Sequence, residues 1–508
     1  MKYSNPVITG FHPDPSVCRV DDNYYLVTSS FEYFPGIPLF HSKDLIHWEQ
    51  IGNVLSRKSQ LPLERAHSYI PSQGIYAPTI RYYEGKFYVI STNISAMTTF
   101  YVWTEDIRGP WSDPVVIEGW SGIDPSLHFS NEGKVYITGA SFPTAVPEGI
   151  YQAEIDIQSG KLLTEPKFIW DGTGGSSAEA PHLFEKDGWF YLLIAEGGTE
   201  YGHMSTIGRS SSPYGPFESN PANPILSNRS TNKDLQGTGH ADFVQDTDGN
   251  WWAVFLGFRT IPGTKFHCLG RETNLVPVAW DEKGWPVIGD NGQVEIENDS
   301  RNLPLTEGVI WKEKEDFNSE KLSDEWNFYR NPVENSWSLS EKPGCLTLYG
   351  QEYTLSENGS PAFVGRRQQH MECKISTNLS FEPVNEGEEA GITVFMNENY
   401  HYDFYKVLKD GKTKIVFRRK VGSLWKVEKE IDYTPSDVEL KIDATPSSFK
   451  FSFSDKNGNN VEMGEGECSL LSTEVAGGFT GLYFGLYATG NGNISKTPAH
   501  FDYFKYSI

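Results

Sequence analysis

Short stretches in which apolar and polar positions alternate recur along the first three hundred residues, and each follows a turn signal. A polar turn containing glycine or asparagine comes just before a pair of aromatic or apolar residues, which is typical of a β-hairpin. The pattern occurs at Asp22-Asn23-Tyr24-Tyr25, Gly85-Lys86-Phe87-Tyr88, Gly133-Lys134-Val135-Tyr136, Gly188-Trp189-Phe190-Tyr191 and Gly249-Asn250-Trp251-Trp252.

A second element lies about a dozen residues before each pair, where another short strand is predicted to begin. The five starts are Asp14-Pro15-Ser16, Ala77-Pro78-Thr79, Asp124-Pro125-Ser126, Ala180-Pro181-His182 and His240-Ala241-Asp242. The unit returns every 50 to 60 residues or so, roughly the length of a propeller blade. This spacing predicts a five-bladed β-propeller over residues 1–300; the alternative is a β-sandwich whose turns coincide by chance.

The repeat stops beyond residue 300. Residues 296–315 are polar and are predicted to form a linker. From residue 316 to 508, alternating β-segments dominate and no long window has helical periodicity, which predicts a β-sandwich and an all-β chain. The clearest segments are residues 390–396, 400–407, 414–418, 449–453 and 501–506.

The propeller places the repeated strand starts together, because the innermost strand of each blade runs along a central channel. The residues at or beside these starts are Asp14, Ala77, Asp124, Glu179 and His240. Burying several carboxylates together is costly unless they are paired or used. Taken singly, each acid could be an ordinary turn or loop residue. Their joint placement at one mouth of the channel predicts a catalytic site.

Three carboxylates match the needs of glycoside hydrolysis. One carboxylic acid protonates the leaving oxygen, and one carboxylate activates water or attacks carbon. A third carboxylate near the acid raises its pKa by like-charge repulsion. The chain also contains 26 Tyr, 30 Phe and 14 Trp. These rings fill strand-rich cores, and they also offer flat apolar faces to sugars.

Composition limits which binding partners and which cellular compartment fit this chain. A net charge of -24 disfavours nucleic acid and anionic membranes. The five cysteines are scattered without metal-ligand spacing, which argues against a disulfide framework and a zinc site. The sequence contains no nucleotide-binding loop, signal-peptide stretch or membrane-length apolar run, so a cytoplasmic protein without an organic cofactor is predicted.

Ten ordered blocks of this sequence resemble glycoside hydrolase family 43, particularly its two-domain β-xylosidases. They lie at residues 5–6, 10–16, 30–36, 41–48, 74–78, 123–127, 179–183, 195–199, 239–241 and 269–273. In that family the Asp matching Asp14 is the general base and the Glu matching Glu179 is the general acid. The Asp matching Asp124 orients the acid and tunes its pKa. The resemblance implies single displacement with inversion, for which base and acid stand about 6.5–9.5 Å apart.

The resemblance also implies roles for two polar residues near the predicted site, and each role has an alternative. Arg271 matches an Arg that contacts hydroxyls of the released sugar, but by its neighbours it could form a buried ion pair with Glu272 or another acid. His240 matches a His near the substrate, or near a metal or water in the channel; a buried core histidine is the alternative.

Three aromatic residues are implied to shape the substrate pocket. Phe31 matches a wall of the sugar subsite. Tyr76 stands where these β-xylosidases usually have Trp, which makes that wall smaller. Phe479 matches an aromatic residue that the concanavalin-like β-sandwich of residues 316–508 places over the propeller mouth. Closing one side of a groove favours attack on chain ends.

The resemblance implies a xylooligosaccharide or arabinoside substrate and no required cofactor. It allows a structural calcium ion in the channel near His240, held through waters, and a homo-oligomer. The alternatives are a chain that acts mainly as an α-L-arabinofuranosidase, an endo-arabinanase, a sugar-binding propeller without catalysis, and a structural interaction propeller. The complete set of carboxylates argues against the last two.

Overall fold

The computed structural model describes residues 2–63, 71–142, 147–455 and 457–508. Regular structure there is almost entirely β, as predicted. The two helices of these segments are a 3-10 turn at Cys468–Leu471 and an α-helical turn at Thr473–Ala476. No helix in the described part of the chain has the length and apolar character needed to cross a membrane.

Five antiparallel sheets follow one another in chain order, which confirms the predicted five-bladed propeller. The first contains Ser16–Val20, Asn23–Val27, Gly36–Ser42 and Glu49–Leu55; the second, Thr79–Tyr83, Lys86–Asn93, Thr98–Thr104 and Val115–Val116; the third, Ile123–Phe129, Val135–Ala140, Ile150–Asp156, Lys161–Leu162 and Lys167–Trp170; the fourth, Glu179–Lys186, Trp189–Glu196, Met204–Ser210 and Glu218–Ser219; the fifth, Leu235–Gln245, Trp251–Arg259, Glu272–Trp280 and Pro286–Ile288.

The first residues of the chain close the ring of blades. Lys2–Ser4 pairs with Glu297–Asp299, and the backbone N–H of Val7 donates to the carbonyl of Thr273 in the fifth blade at 2.9 Å. The innermost strand of the first blade contacts those of the second and fifth. The strand starts named above therefore surround one channel.

Two large antiparallel sheets form the C-terminal sandwich, and side chains from both share one apolar core. One sheet contains Lys314–Glu315, Trp337–Ser338, Leu346–Tyr349, Cys373–Ser380, Asp437–Ala444, Ser448–Ser454, Asn460–Glu467, Pro498–Phe501 and Phe504–Ser507; the other, Tyr33–Phe34, Asn327–Tyr329, Ala362–Arg367, Glu389–Asn397, Tyr400–Lys409, Lys412–Val421, Leu424–Asp432 and Tyr483–Thr489.

The C-terminal β-segment differs from its prediction. A single strand over residues 501–506 was expected, but the structure has two strands separated by Asp502 and Tyr503. Here the pairing with the strand Cys373–Ser380 shifts register, and the Thr377 hydroxyl donates to the Tyr503 carbonyl. The last strand pairs with Lys314–Glu315, which lies in the segment predicted to be a linker.

A short strand of the propeller chain belongs to the sandwich. Tyr33–Phe34 pairs with Asn327–Tyr329 at the edge of the second sandwich sheet, and the rings of Tyr33 and Tyr483 stack at 3.9 Å. Beside this strand, Glu32 accepts hydrogen bonds from the buried Arg330 guanidinium at 3.0–3.1 Å. The two domains are therefore joined by a sheet and by an ion pair.

Candidate active site

Backbone geometry brings the predicted residues to the channel mouth. Asp14, Asp124, Ala180 and His240 have left-handed φ values of 55°, 49°, 51° and 52°. In the third to fifth blades the strand register shifts at this point, so each inner strand has a bulge. Bulges re-aim side chains and are common beside active sites. A left-handed non-glycine residue costs about 1–3 kcal/mol, and the shared strain indicates a functional constraint.

A cavity of about 130 Å³ lies at this mouth. All eight predicted site residues line it. The lining residues are Asp14, Phe31, Tyr76, Ala77, Ile123, Asp124, Glu179, Thr199, His240, Arg271 and Phe479. The cavity therefore brings together residues from all five blades and one from the sandwich.

Asp14 is buried but has compensating partners. Its Oδ2 accepts a hydrogen bond from the Ser29 hydroxyl at 2.5 Å, and its Oδ1 accepts one from Nη1 of Arg271 at 2.8 Å. Nδ1 of His240 lies 3.5 Å from the same Oδ1. Burial alone would raise the pKa of Asp14, but Arg271, His240 and Ser29 outweigh it and lower the pKa. Asp14 is therefore an ionised carboxylate, as a general base must be.

Arg271 adopts the ion-pair alternative, and its partner is Asp14 rather than Glu272. Glu272 instead accepts hydrogen bonds from Arg259 at 2.7 and 2.8 Å. Nη1 of Arg271 also donates to the Thr199 hydroxyl at 2.8 Å, and Nη2 donates to the Phe479 carbonyl at 3.3 Å. Because it also lines the cavity, Arg271 can hold Asp14 and contact a bound molecule at the same time.

Asp124 and Glu179 have the opposite electrostatic environment. Burial raises the pKa of Asp124 well above its ordinary value, and the charge of Glu179 raises it further. Burial and the charge of Asp14 raise the pKa of Glu179 to about 7. Two adjacent carboxyls in such a site hold one proton between them near neutral pH. The cavity thus contains an ionised carboxylate and a protonated acid, which is the pairing that glycoside hydrolysis requires.

His240 is both buried and part of the cavity wall. Burial lowers its pKa, although Asp14 acts in the opposite direction. The imidazole is therefore neutral near pH 7 and faces Asp14. Sequence reasoning placed His240 correctly at the mouth, but it missed Ser29 and the role of Thr199 as a support for Arg271. Neither residue has a local motif; Ser29 lies in the stretch Thr28-Ser29-Ser30, which reads as an ordinary strand end.

Three aromatic rings form the apolar wall. The centroid of Phe31 lies 5.3 Å from that of Tyr76 and 5.9 Å from that of Phe479, and Tyr76 lies 6.0 Å from Phe479. Phe479 comes from the sandwich, and its backbone N–H donates to the Ser72 hydroxyl at 2.8 Å. Burial, with Asp124 next, raises the pKa of Tyr76 to about 12, so its hydroxyl is neutral.

Two family models match the chain. Residues 3–286 match the model described as glycosyl hydrolases family 43, and residues 314–507 match the model described as the β-xylosidase C-terminal concanavalin A-like domain. The chain belongs to glycosyl hydrolase family 43. It is therefore a glycoside hydrolase, with the family's propeller and its C-terminal sandwich.

Relatives of this family 43 chain align along almost its whole length. A protein of Bacteroides ovatus named non-reducing end α-L-arabinofuranosidase BoGH43B is 41% identical, over 99% of this chain and 94% of its own. A xylosidase/arabinosidase of Butyrivibrio fibrisolvens is 38% identical, over 99% and 98%. The crystal structure of a xylan β-1,4-xylosidase from Bacillus halodurans C-125 superposes with a TM-score of 0.92 at 32% identity, covering 100% of both chains.

Removing one carboxyl of the protonated pair should move the pH profile of this family 43 chain. We expect the pair to supply the catalytic acid, so activity should fall as pH rises through the last pKa of the pair. Asp124→Asn removes the like charge, lowers the pKa of Glu179, and should shift that limb of the kcat/KM profile to lower pH. The low-pH limb, set by Asp14, should stay in place. An unmoved high-pH limb in the pH–rate profile would contradict the tuning role of Asp124.

Proposed function

We propose that this chain is an exo-acting, inverting glycosidase that releases xylose from the non-reducing end of β-1,4-xylooligosaccharides and also releases arabinose from arabinosides. The observation that carries the proposal is the small cavity in which the charged Asp14 faces the protonated pair Asp124 and Glu179. Their opposite pKa shifts supply a base and an acid in one site.

The proposed reaction is a single displacement. Asp14 takes a proton from water, and the water oxygen attacks the anomeric carbon. At the same time Glu179 donates its proton to the departing glycosidic oxygen, so the bond to the rest of the chain breaks. Asp124 keeps the proton available to Glu179. Arg271 and Ser29 hold Asp14 in its ionised form and fix its orientation.

Exo action follows from the closed shape of the site. Phe479 of the sandwich covers one side of the propeller mouth and packs against Phe31 and Tyr76. A cavity of about 130 Å³ suits one sugar unit, and we expect the Phe479 side to keep a polymer from passing through. A chain end can enter with its terminal ring, which disfavours an endo-arabinanase.

The pentose assignment rests on relatives whose names include xylosidase and arabinosidase activities. A second candidate is α-L-arabinofuranosidase as the main activity. It is favoured by the 41% identical relative of that name, and by Tyr76, which makes the wall smaller than the Trp expected at this position. Both candidates use the same carboxylates.

Substrate comparison tests the proposal. Purified protein is given p-nitrophenyl β-D-xylopyranoside and p-nitrophenyl α-L-arabinofuranoside, with xylobiose and arabinobiose as natural substrates. We expect the higher kcat/KM on the xyloside and xylobiose, and proton NMR should detect α-xylose as the first product. Preference for the arabinoside would make the second candidate the main activity. No turnover of any substrate would favour a sugar-binding propeller, and β-xylose as first product would contradict inversion.

A further inference from the structure

A second polar layer lies deeper in the channel, below the catalytic residues. Ser16 and Asp242 come two residues after Asp14 and His240, and His182 comes two residues after Ala180. They lie on the innermost strands of the first, fifth and fourth blades. All three are buried. Arg81, on the innermost strand of the second blade, points its guanidinium at all of them.

The Arg81 guanidinium forms a bidentate ion pair with Asp242. Nη1 lies 2.8 Å from Oδ2, and Nη2 lies 3.0 Å from Oδ1. Nη1 also donates to the Ser16 hydroxyl at 3.1 Å, and Nη2 donates to Nδ1 of His182 at 3.1 Å. One side chain therefore ties together four of the five innermost strands, among them those that carry Glu179 and His240 and the one that begins two residues after Asp14.

Asp242 has no acceptor position left for a metal ion. Its Oδ2 also accepts hydrogen bonds from the Ser16 hydroxyl at 2.7 Å and from the backbone N–H of Val17 at 3.1 Å. Its Oδ1 also accepts one from the backbone N–H of Phe243 at 3.0 Å. Burial would raise the pKa of Asp242, but Arg81 outweighs it and lowers the pKa to about 2. The carboxylate is charged, and both of its oxygens already accept hydrogen bonds from protein groups.

Of two channel histidines near this layer, His182 offers a cation no nitrogen and His203 offers one. Because Nδ1 of His182 accepts from Arg81, its Nε2 must carry the hydrogen and is a donor, not a ligand. Nδ1 of His203 donates to the carbonyl of Gly198 at 2.7 Å, which leaves it one nitrogen. Calcium takes six to eight oxygen ligands. In the four segments that the structure describes, no group of three or more His, Cys, Asp or Glu side chains has a metal-binding arrangement.

We propose that Arg81 supplies the positive charge of the channel in place of a metal cation, and that it acts as a positioning residue for Asp14, Glu179 and His240. The calcium ion near His240 that the family resemblance allows does not fit these residues. The positioning role rests on the proposed function, since it concerns the same three residues.

The first test measures metal in the unmodified protein. Protein purified in calcium-containing buffer and then desalted should contain less than stoichiometric calcium by elemental analysis, and titration calorimetry with calcium chloride should give no binding heat. Treatment with EDTA should leave kcat unchanged. One tightly held calcium per chain, with loss of kcat in EDTA and recovery on adding calcium, would overturn the proposal. Calcium content and calorimetry do not depend on which sugar is hydrolysed, so failure of the proposed function remains distinguishable.

The second test removes the guanidinium. Arg81→Ala should lower kcat by about 10²-fold through displacement of Asp14 and Glu179, with KM nearly unchanged. Guanidinium chloride at low millimolar concentration should restore part of that kcat. Arg209→Ala is the matched control, because its guanidinium packs on Trp285 at the outer face of the propeller, 4.1 Å from the ring centroid. This control should keep kcat and show no response to guanidinium.

Two results would overturn the positioning role. One is wild-type kcat in a folded Arg81→Ala protein. The other is a loss of kcat that guanidinium does not reverse but calcium does. If Arg81→Ala does not fold, Arg81→Lys retains the charge without the bidentate geometry, and it should keep the fold with a kcat between those of wild type and background. Full kcat in Arg81→Lys would contradict the need for the guanidinium.

Discussion

Glu179→Gln should lower kcat on xylobiose by about 10²–10⁴-fold, which is the usual contribution of a general acid. Gln has nearly the same volume as Glu and can still accept hydrogen bonds, but it has no proton to give to the leaving oxygen. Burial and the charge of Asp14 raise the pKa of Glu179 to about 7, so a large share of the wild-type protein has this carboxyl protonated near neutral pH. The measurement is steady-state turnover, with the melting temperature as a check on the fold.

The leaving group supplies the control for this assignment. An aryl β-xyloside with a dinitrophenol leaving group departs without protonation, so Glu179→Gln should lose far less kcat on it than on xylobiose. Equal losses on both substrates would contradict the role of general acid. Near wild-type turnover of xylobiose would exclude Glu179 from catalysis altogether.

Asp14→Asn should lower kcat at least as much as Glu179→Gln does, and the loss should not depend on the leaving group. The water must be deprotonated whichever group departs, so losses on xylobiose and on the dinitrophenyl xyloside should be equal. Turnover of both substrates is the measurement. Azide, which needs no deprotonation, should restore part of the rate on the aryl substrate and give the inverted glycosyl azide.

A graded control for the base comes from its hydrogen-bond partner. Ser29→Ala removes the 2.5 Å hydrogen bond to Asp14 but keeps the carboxylate and its ion pair with Arg271. It should raise the pKa of Asp14 and move the low-pH limb upward, with a much smaller loss of kcat than Asp14→Asn. If Asp14→Asn lost kcat on xylobiose but kept it on the dinitrophenyl xyloside, the assignments of acid and base would be reversed.

The position of the catalytic residues could be predicted because the propeller repeats its geometry. A turn and a strand start recur in register five times, so residues far apart in the sequence occupy equivalent places around one channel. Asp14, Asp124 and His240 share a left-handed backbone conformation, as expected for equivalent positions in repeated blades. Family resemblance added the aromatic wall, and all the residues it named line the cavity.

Contacts between distant segments could not be predicted in the same way. Nothing near Arg271 in the sequence indicates that its partner is Asp14, 257 residues away, rather than the adjacent Glu272. Arg81 lies in an alternating strand and looks like a solvent-facing residue, although its guanidinium crosses the channel. The break at residues 502–503 coincides with a register shift against the strand Cys373–Ser380, whose Thr377 hydroxyl donates to the Tyr503 carbonyl. Packing between distant segments determines these side-chain partners and strand ends, and local propensity does not.

The edge strand Tyr33–Phe34 determines how this enzyme can be recombined with its relatives. A chimera joined near residue 300 looks natural, because the family models end and begin on either side of it. Such a crossover would pair a foreign sandwich with a native edge strand, directly beside the Phe31 wall of the sugar pocket. Recombined enzymes should therefore inherit residues 31–35 from the parent that donates the sandwich.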